Sequence, residues 1–283
     1  MGLTERNFQT MTKAESIPKV IHYCWFGGAK LGPDELKCLD SWKRYLPNYE
    51  IIRWDESNFD VTCCPFVEEA YRAKRWAFVS DYARFKILFD RGGLYFDTDV
   101  EVVKPLDDIV AEGPFMGFQT DFTGERCKGE VAPGLGLGAV AGMSIYREAL
   151  EMYEREHFTL PDGSHDVTTV VQRTTELLRA HGLQDHPGIQ KVAGLTLYPS
   201  EFFNPKDLWS GVISVTENTR SIHHFGMSWV RPSIRTQQRY TERLMALGLK
   251  YGPARGIATA AALVRHLDIR RLINHMRGLE ERD

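Results

Sequence analysis

Apolar runs and amphipathic segments alternate along residues 17–120. Three short, mostly apolar runs bounded by Gly, Pro or Asn have the character of strands: residues 19–26, 49–54 and 114–120. Between the first two, Leu39, Trp42 and Leu46 follow Leu36 at helical spacing within residues 34–46. A strand–helix–strand order predicts a parallel strand pair with a right-handed crossover, and the alternation as a whole predicts an α/β sheet.

The stretch from residue 65 to residue 102 joins helices to a further strand. Residues 65–93 predict two helices that end at a pair of glycines, and Ser80 is the predicted N-cap of the second. The alternation of Leu94, Phe96, Val100 and Val102 then predicts one strand. Further along the chain, residues 145–156 and 168–182 predict helices, residues 195–199 predict a strand, and residues 220–229 predict a short strand that runs into a loop.

Asp97 and Asp99 occupy alternate positions of that predicted strand and would therefore share one of its faces. Two neighbouring carboxylates repel each other, so burying both is unfavourable without a cation or hydrogen-bond donors. A hard cation takes carboxylate oxygens and keeps positions open for phosphate oxygens. For a D-x-D taken alone, a strand that runs out into a solvated turn is the alternative.

Two other features lie where a ligand of an α/β sheet would bind, beyond the carboxyl ends of strands. Trp25 ends the first predicted strand before two glycines, so it could stack on a flat ring, or it could be a core tryptophan before a turn. Asp81 and Arg84 are three residues apart and share a helix face, where they could hold sugar hydroxyls or form a surface ion pair.

Composition narrows the class of protein. With 283 residues, 43% of them hydrophobic, the chain suits one large domain with an appendage, and its net charge of −3 gives no sign of nucleic-acid binding. The five cysteines are odd in number and form no C-x-x-C, which favours a reducing cytosol over a disulfide framework or a zinc ribbon. The polar leader, residues 1–16, contains no apolar signal-peptide segment.

The C-terminal tail differs in charge from the rest of the chain. Residues 231–283 hold 11 Lys/Arg and 5 Asp/Glu, a balance of +6, whereas residues 1–230 have a balance of −9. Their spacing predicts basic amphipathic helices, and the apolar run GIATAAALV is too short to span a bilayer. These helices would either pack on the body or dock on an anionic membrane surface.

Three linked motifs carry a resemblance to a known family. IPKVIHYCWFGG, then AFVSDYARFKIL with GGLYFDTDVEVVKPLD, then TENTRSIHHFGMSW resemble, in order and spacing, the DXD-containing glycosyltransferases of family 32. That family includes bacterial capsular-polysaccharide and Och1-type sugar transferases, and the clostridial glucosylating toxins look like distant relatives. The resemblance divides the chain into a flexible leader (1–16), a GT-A glycosyltransferase domain (17–230) and a basic helical tail (231–283).

The resemblance implies a GT-A, Rossmann-like fold with a C-terminal helical extension, a UDP-sugar donor and Mn²⁺, with Mg²⁺ as the alternative ion. Trp25 would stack on uracil, and Asp99 would ligate the metal directly, Asp97 through water, with His223 as a further ligand. Without the resemblance, His223 would be taken as a half-buried polar residue. The donor-binding residues that the resemblance implies are Trp25, Ser80, Asp81, Arg84, Tyr95, Asp97, Ser228 and Trp229.

The expected activity is transfer of a sugar from UDP to a glycan or lipid-linked acceptor with retention of configuration, in bacterial surface polysaccharide synthesis. Asp81, Arg84, Asp97 and Asp99 are the expected catalytic residues of this cytoplasmic enzyme. The segment GLGLGAV offers no amide beneath the sugar, so the existence of a nucleophile stays open. Asp121 and Asp166 are candidates for acceptor contact.

Two alternatives remain from the sequence. Haloacid-dehalogenase-type phosphatases also end a strand with D-x-D, but they normally carry it on their first strand, followed by Gly-Thr. A sugar-nucleotide-binding module without turnover is the other; it would bind metal and nucleotide and release no sugar.

Overall fold

The structure, a computed structural model, describes residues 16–124, 128–207, 211–226 and 232–266. Its strands are β1 (Val20–Cys24), β2 (Glu50–Trp54), β3 (Gly93–Tyr95), β4 (Val100–Val102), β5 (Phe115–Thr120), β6 (Glu130–Ala132), β7 (Leu137–Ala139), β8 (Gln190–Val192), β9 (Leu195–Tyr198) and β10 (Ser221–His223). Its helices are α1 (Pro33–Tyr45), α2 (Pro65–Arg72), α3 (Trp76–Arg91), α4 (Asp107–Ala111), α5 (Ser144–Glu154), α6 (Val170–Ala180), α7 (Ser200–Phe203), α8 (Pro232–Ala246) and α9 (Tyr251–Arg265). The short elements α4, α7, β6, β7 and β8 have no counterpart in the sequence prediction.

A mixed sheet forms the centre of the molecule, with strand order β2-β1-β3-β7-β5-β9-β8 and β6 paired to β5. β1 runs parallel to both β2 and β3, which confirms the predicted parallel pair. β7 is antiparallel to β3 and β5. A separate two-stranded sheet joins β4 to β10 in antiparallel register, with His223 opposite Val100. The α/β class and the C-terminal helical extension are therefore confirmed.

Two apolar cores cover the two faces of the central sheet. One contains Trp42 of α1 with Phe96, Val100 and Phe203, and the other contains the inner faces of α2, α3, α5 and α6. Trp42 is fully buried, and its indole N–H donates to the carbonyl of Val100 at 2.8 Å. This bond fixes α1 against the start of β4, close to the two aspartates.

The predicted single strand through the D-x-D is wrong. β3 ends at Tyr95 and β4 begins at Val100, so Asp97 and Asp99 lie in a turn closed by the bond from the Val100 N–H to the Asp97 carbonyl, 3.1 Å. Leu94, Phe96, Val100 and Val102 are nevertheless all buried in the same core. The apolar residues on both sides of the turn enter the same core, so their alternation continues across it. The alternation therefore does not reveal the break between β3 and β4.

Ser80 is not the N-cap of α3. The helix begins at Trp76, and Ser80 lies inside it with its hydroxyl donating to the carbonyl of Trp76 at 3.1 Å. Because Trp76, Ala77, Phe78 and Val79 form an apolar turn ahead of Ser80, the first polar residue of the segment is a poor marker of the helix start. The helix ends as predicted, at Gly92 with φ of 65°.

His22 of β1 is buried beside Gly92 and Gly93, and its imidazole is neutral. Its Nδ1 accepts from the Trp54 indole at 3.1 Å, and its Nε2 donates to the Gly92 carbonyl at 3.0 Å. Burial lowers the pKa of His22 to about 4, the Gly92 bond opposes this, and Arg91 adds to the lowering. His22 has a pKa near 6.5 in the unfolded chain. Its contribution to the free energy of unfolding is therefore fully present above that pH and is lost as the pH falls toward 4.

We expect the free energy of unfolding to fall by about 3 kcal/mol between pH 7 and pH 4 through His22 alone. Urea unfolding across this range measures the slope for the wild type, for His22→Gln and for the exposed control His186→Gln. His22→Gln should be less stable at pH 7 but should lose less stability on acidification. Equal slopes for wild type and His22→Gln would contradict this role of His22.

The described part of the tail forms a helical hairpin. The Thr236 hydroxyl lies 2.7 Å from His266 Nε2, and Arg265 donates to the Tyr240 hydroxyl at 2.8 Å, so α8 and α9 are bonded to each other. Lys206 joins the hairpin to the body through Glu242 of α8 at 3.1 Å. No helix in the described ranges is long and apolar enough to cross a membrane. The leader up to residue 15 lies outside the described residues.

Candidate functional site

The carboxyl ends of the parallel strands place the predicted residues at one edge of the sheet. Trp25 follows β1, and the turn with Asp97 and Asp99 follows β3, its direct parallel neighbour. Ligands of α/β sheets bind at this edge because loops there leave a crevice over the strand ends. The D-x-D follows the third strand of the chain, unlike the first-strand position of dehalogenase-type phosphatases.

Arg84 of α3 holds Asp97 in place. Its Nη2 lies 3.3 Å from Asp97 Oδ1, its Nη1 lies 3.4 Å from Oδ2, and the guanidinium covers the ring of Tyr95 at 5.0 Å. The Tyr95 hydroxyl also donates to Asp97 Oδ1 at 3.2 Å. Asp97 therefore lies at the surface of a fixed cluster, with its side chain 30% exposed and accessible to a ligand.

Asp81 forms the buried side of the same cluster. Its Oδ1 accepts from Arg84 Nη2 at 2.8 Å, and both side chains are almost fully buried. Burial raises the pKa of Asp81, and Arg84 opposes this by favouring the carboxylate. Ser80 contributes through its backbone carbonyl, which accepts from Arg84 Nε at 3.1 Å. The predicted Asp81–Arg84 pair thus exists, and it is an interior pair that faces Asp97.

Asp99 forms a second cluster with His223 across the β4–β10 sheet. Asp99 Oδ1 lies 3.1 Å from His223 Nε2, and Asp99 Oδ2 accepts from the Gly226 N–H at 2.7 Å. Burial opposes ionisation of Asp99, but His223 and the Gly226 N–H outweigh it and hold its pKa at about 2. His223 Nδ1 is buried without a hydrogen-bond partner among the described residues. Asp99 is therefore a carboxylate held beside an imidazole, and the predicted role of both as metal ligands stays a prediction.

His224 serves a different carboxylate. Its Nε2 lies 2.8 Å from Glu101 Oε2, which also accepts from Lys37 of α1 at 3.0 Å. The two adjacent histidines thus point to different partners, because successive residues of a strand face opposite sides. Only His223 faces the D-x-D turn.

The donor types around Asp99 fit a divalent cation. Carboxylate oxygen and imidazole nitrogen are both ligands of Mn²⁺, and Mg²⁺ prefers oxygen alone. Asp97, however, bonds to Arg84 while Asp99 bonds to His223. Across the described ranges, no group of three or more His, Cys, Asp or Glu side chains is arranged to hold a metal ion. The three-residue metal site of Asp97, Asp99 and His223 therefore stays a prediction.

Trp25 is held as a fixed, half-buried ring. Its indole N–H donates to the Ala29 carbonyl at 2.7 Å, and its backbone N–H donates to the Trp54 carbonyl at 2.8 Å. The loop turns at Gly27, with φ of 88°, where a Cβ would lie 2.5 Å from the Trp76 ring. The close approach of Trp76 explains why glycine follows Phe26. The ring of Trp25 is therefore preorganised at the sheet edge, which a stacking role requires.

Gly134 is a site residue that the sequence pattern does not indicate. Its carbonyl accepts from the Asp97 N–H at 3.0 Å, and a Cβ at this position would lie 1.8 Å from Asp97 Oδ2 and 3.0 Å from Arg84 Nη1. The glycine-rich segment GLGLGAV was the only signal in the sequence. It gave no indication that one of its glycines packs on the first aspartate of the D-x-D.

The other predicted residues have interior partners or lie outside the described residues. Asp121 accepts from the backbone N–H and hydroxyl of Ser200, at 2.9 and 2.6 Å, so it caps α7. Asp166 forms an ion pair with the buried Arg173 of α6. These contacts give both carboxylates a structural role. Their predicted contact with the acceptor stays a prediction. Ser228 and Trp229 lie outside the described residues.

Residues 32–116 match the family profile described as "Glycosyltransferase sugar-binding region containing DXD motif". The match covers less than a third of the chain and includes Asp81, Arg84 and both aspartates of the turn. An uncharacterized glycosyltransferase of Acanthamoeba polyphaga mimivirus is 31% identical over 109 residues, which covers 35% of this chain and 42% of that protein. The chain thus spans less than half the length of this curated relative. Both matches support glycosyltransferase function as a class.

Two solved glycosyltransferase structures are similar to this chain at lower sequence identity. The PaToxG glycosyltransferase matches with a TM-score of 0.43 and 17% identity over 59% of this chain and 70% of its own. A glycosyltransferase involved in glycosylation of the major capsid of PBCV-1 matches with a TM-score of 0.42 and 12% identity, over 81% of this chain and 100% of its own.

Proposed function

We propose that this protein is a metal-dependent, retaining glycosyltransferase of GT-A type that uses a UDP-sugar. The observation that carries the proposal is the turn of Asp97 and Asp99 at the carboxyl edge of parallel strands, within the region that matches the DXD sugar-binding profile. One aspartate is bonded to a buried arginine and the other to a histidine. Two carboxylates fixed by different partners suit two tasks, contact with sugar and support of a diphosphate.

The buried cluster is proposed to hold the donor sugar. Arg84 is oriented by Asp81 and Ser80, so its guanidinium cannot swing away when a ligand arrives. Asp97 offers its carboxylate at the exposed side of the cluster, and the buried Tyr95 donates its hydroxyl to that carboxylate from the interior. Such a prearranged set favours the transition state because little reorganisation is needed during the reaction.

The Asp99 cluster is proposed to support the leaving diphosphate. Asp99 and His223 would hold a divalent cation, Mn²⁺ rather than Mg²⁺, with Asp97 contributing through water. When bound, that ion would neutralise the charge that develops on the diphosphate. His223 and the Gly226 N–H both contact the Asp99 carboxyl group and favour its ionised form, the form that ligates a cation.

The finer parts of the proposal rest on the family resemblance and on composition. Retention of configuration, a glycan or lipid-linked acceptor, and a place in bacterial surface polysaccharide synthesis follow from the resemblance to family 32. We propose a cytoplasmic location from the cysteine pattern. We also propose peripheral contact with the inner face of the membrane through the basic tail, supported by six Lys/Arg against one acidic residue in residues 232–266.

A donor screen tests the function. The full chain is incubated with a panel of UDP-sugars or with p-nitrophenyl phosphate, each with Mn²⁺, with Mg²⁺ or with EDTA, and released UDP, released phosphate and UDP binding are measured separately. The proposed metal-dependent glycosyltransferase should release UDP and sugar with a divalent ion and not in EDTA. A phosphatase would release phosphate from phosphomonoesters, and a binding module would bind UDP without turnover, so either pattern would overturn the proposal.

Trp25→Ala is expected to raise the donor KM about tenfold or more with little change in kcat. Stacking of an aromatic side chain on a base is worth about 1–3 kcal/mol, and it acts equally on bound substrate and transition state. The measurement is UDP release against donor concentration, with Trp76→Phe as a control for the packing of the same loop. A folded Trp25→Ala protein with unchanged KM would show that the ring does not contact the donor.

A further inference from the structure

An arginine-lined cavity lies between the two tail helices. It has a volume of about 180 Å³ and is lined by Thr236, Arg239, Tyr240, Arg243 and Arg265. Arg239 and Arg243 are one turn apart on α8, and Arg265 comes from the end of α9. Three guanidinium groups around a small cavity provide many donors in fork geometry, the arrangement that suits a phosphate.

The cavity walls are fixed by contacts between the helices. Arg265 donates to the Tyr240 hydroxyl at 2.8 Å, and Thr236 bonds to His266 at 2.7 Å. Ala254, Ala258 and Ala262 are fully buried, so α9 presents only small side chains at these buried positions. These contacts fix the two helices against each other beside the cavity, and Arg239 and Arg243 line it from exposed positions of α8.

The arginines of this cavity have little other use in the described structure. Arg239 approaches Asp34 at 3.7 Å, but both side chains are largely exposed, so the pair is weak. No hydrogen bond or ion pair joins the Arg243 guanidinium to another described residue. The acidic residue of α8, Glu242, is occupied by Lys206 of the body. The positive charge of the cavity is thus left for a ligand.

An exposed apolar stripe accompanies the cavity. On α9, Ile257 and Val264 are 53% and 63% exposed and stand seven residues apart, with Ala260 and Ala261 exposed between them. Ala261 lies one turn before Arg265 on the same side of the helix. Leu247, in the turn between the helices, is 78% exposed. Exposed apolar residues beside arginines are typical of helices that lie in a membrane interface.

We propose that the cavity of Arg239, Arg243 and Arg265 binds the phosphate of an anionic phospholipid headgroup, with the Ile257–Val264 stripe inserted beside it. The inference rests on the peripheral-membrane part of the proposed function and is independent of the D-x-D turn. The proposal assigns membrane binding to a defined headgroup site and not to a diffuse attraction between the basic tail and the membrane. Free phosphate shares the chemistry of the site but makes no use of the apolar stripe.

Vesicle binding of the full chain tests the site. Cosedimentation is measured with phosphatidylcholine vesicles, with and without phosphatidylglycerol, for wild type, Arg239→Gln/Arg243→Gln and the control Lys250→Gln/Arg255→Gln. Both double variants remove two positive charges from exposed positions of the same hairpin. We expect binding that requires phosphatidylglycerol, and a loss in the cavity variant about thirtyfold larger than in the control, because only the cavity variant also removes charge-assisted hydrogen bonds to the phosphate.

Two further measurements distinguish a phospholipid headgroup from free phosphate as the ligand. Ile257→Ser/Val264→Ser should weaken vesicle binding, and millimolar inorganic phosphate should compete poorly with vesicles. Equal losses in the two double variants, absence of vesicle binding by wild type, or full displacement by inorganic phosphate would each overturn the headgroup site. UDP release in the absence of vesicles should be unchanged in all these variants, so a failure here is distinguishable from a failure of the glycosyltransferase proposal.

Discussion

Asp99→Asn is expected to reduce sugar transfer at least about a hundredfold, and to near zero at low Mn²⁺, in a protein that remains folded. The substitution keeps the shape of the side chain but removes the charge that His223 and the Gly226 N–H stabilise. Without that charge the proposed cation loses its direct ligand, and the departing diphosphate loses its main electrostatic support. The measurement is UDP release against Mn²⁺ concentration, with folding checked by circular dichroism.

Glu101→Gln is the matched control for Asp99→Asn. Glu101 lies two residues further along the same turn and strand, and it also pairs with a histidine, His224. It should lose little activity because it faces Lys37 and His224 rather than the proposed donor site. A wild-type metal profile in Asp99→Asn, or full wild-type activity in EDTA, would remove the metal from the proposed mechanism.

Gly134→Ala is expected to lower kcat/KM about a hundredfold without unfolding the protein. The new methyl group would lie 1.8 Å from Asp97 Oδ2, so the carboxylate must rotate away from Arg84 and Tyr95. Misplacing a reacting group by about 1 Å can cost a hundredfold in rate. Overpacking should cost about 1–3 kcal/mol of stability, which a chain with two large cores tolerates.

A double-mutant cycle distinguishes positioning from general damage. If Gly134 acts through Asp97, adding Gly134→Ala to Asp97→Ala should change activity little, because the displaced carboxylate is already absent. Gly256→Ala is the control, since a Cβ there meets no atom within 4 Å. Multiplicative losses in the double variant, or normal kinetics in Gly134→Ala, would show that Gly134 does not position Asp97.

The sequence pattern was sufficient to predict the main helices and strands and the chemistry of several side chains. Helical spacing predicted α1, and the glycine pair correctly marked the end of α3. The strand–helix–strand order predicted that β1 and β2 are parallel, which places Trp25 at the carboxyl edge. These features depend on local periodicity and on glycine at positive φ, and both are properties of neighbouring residues.

The tertiary structure decided how the candidate residues are grouped. Local alternation could not show that the D-x-D is a turn between two sheets, because the residues on both sides enter one core. It also could not show that Asp97 bonds to Arg84 while Asp99 bonds to His223, 124 residues away in the chain. Gly134 became a site residue only because the fold brings its backbone against Asp97. The order of residues fixes which groups are available. Long-range packing chooses their partners, because contacts between distant segments leave no periodic pattern in the chain.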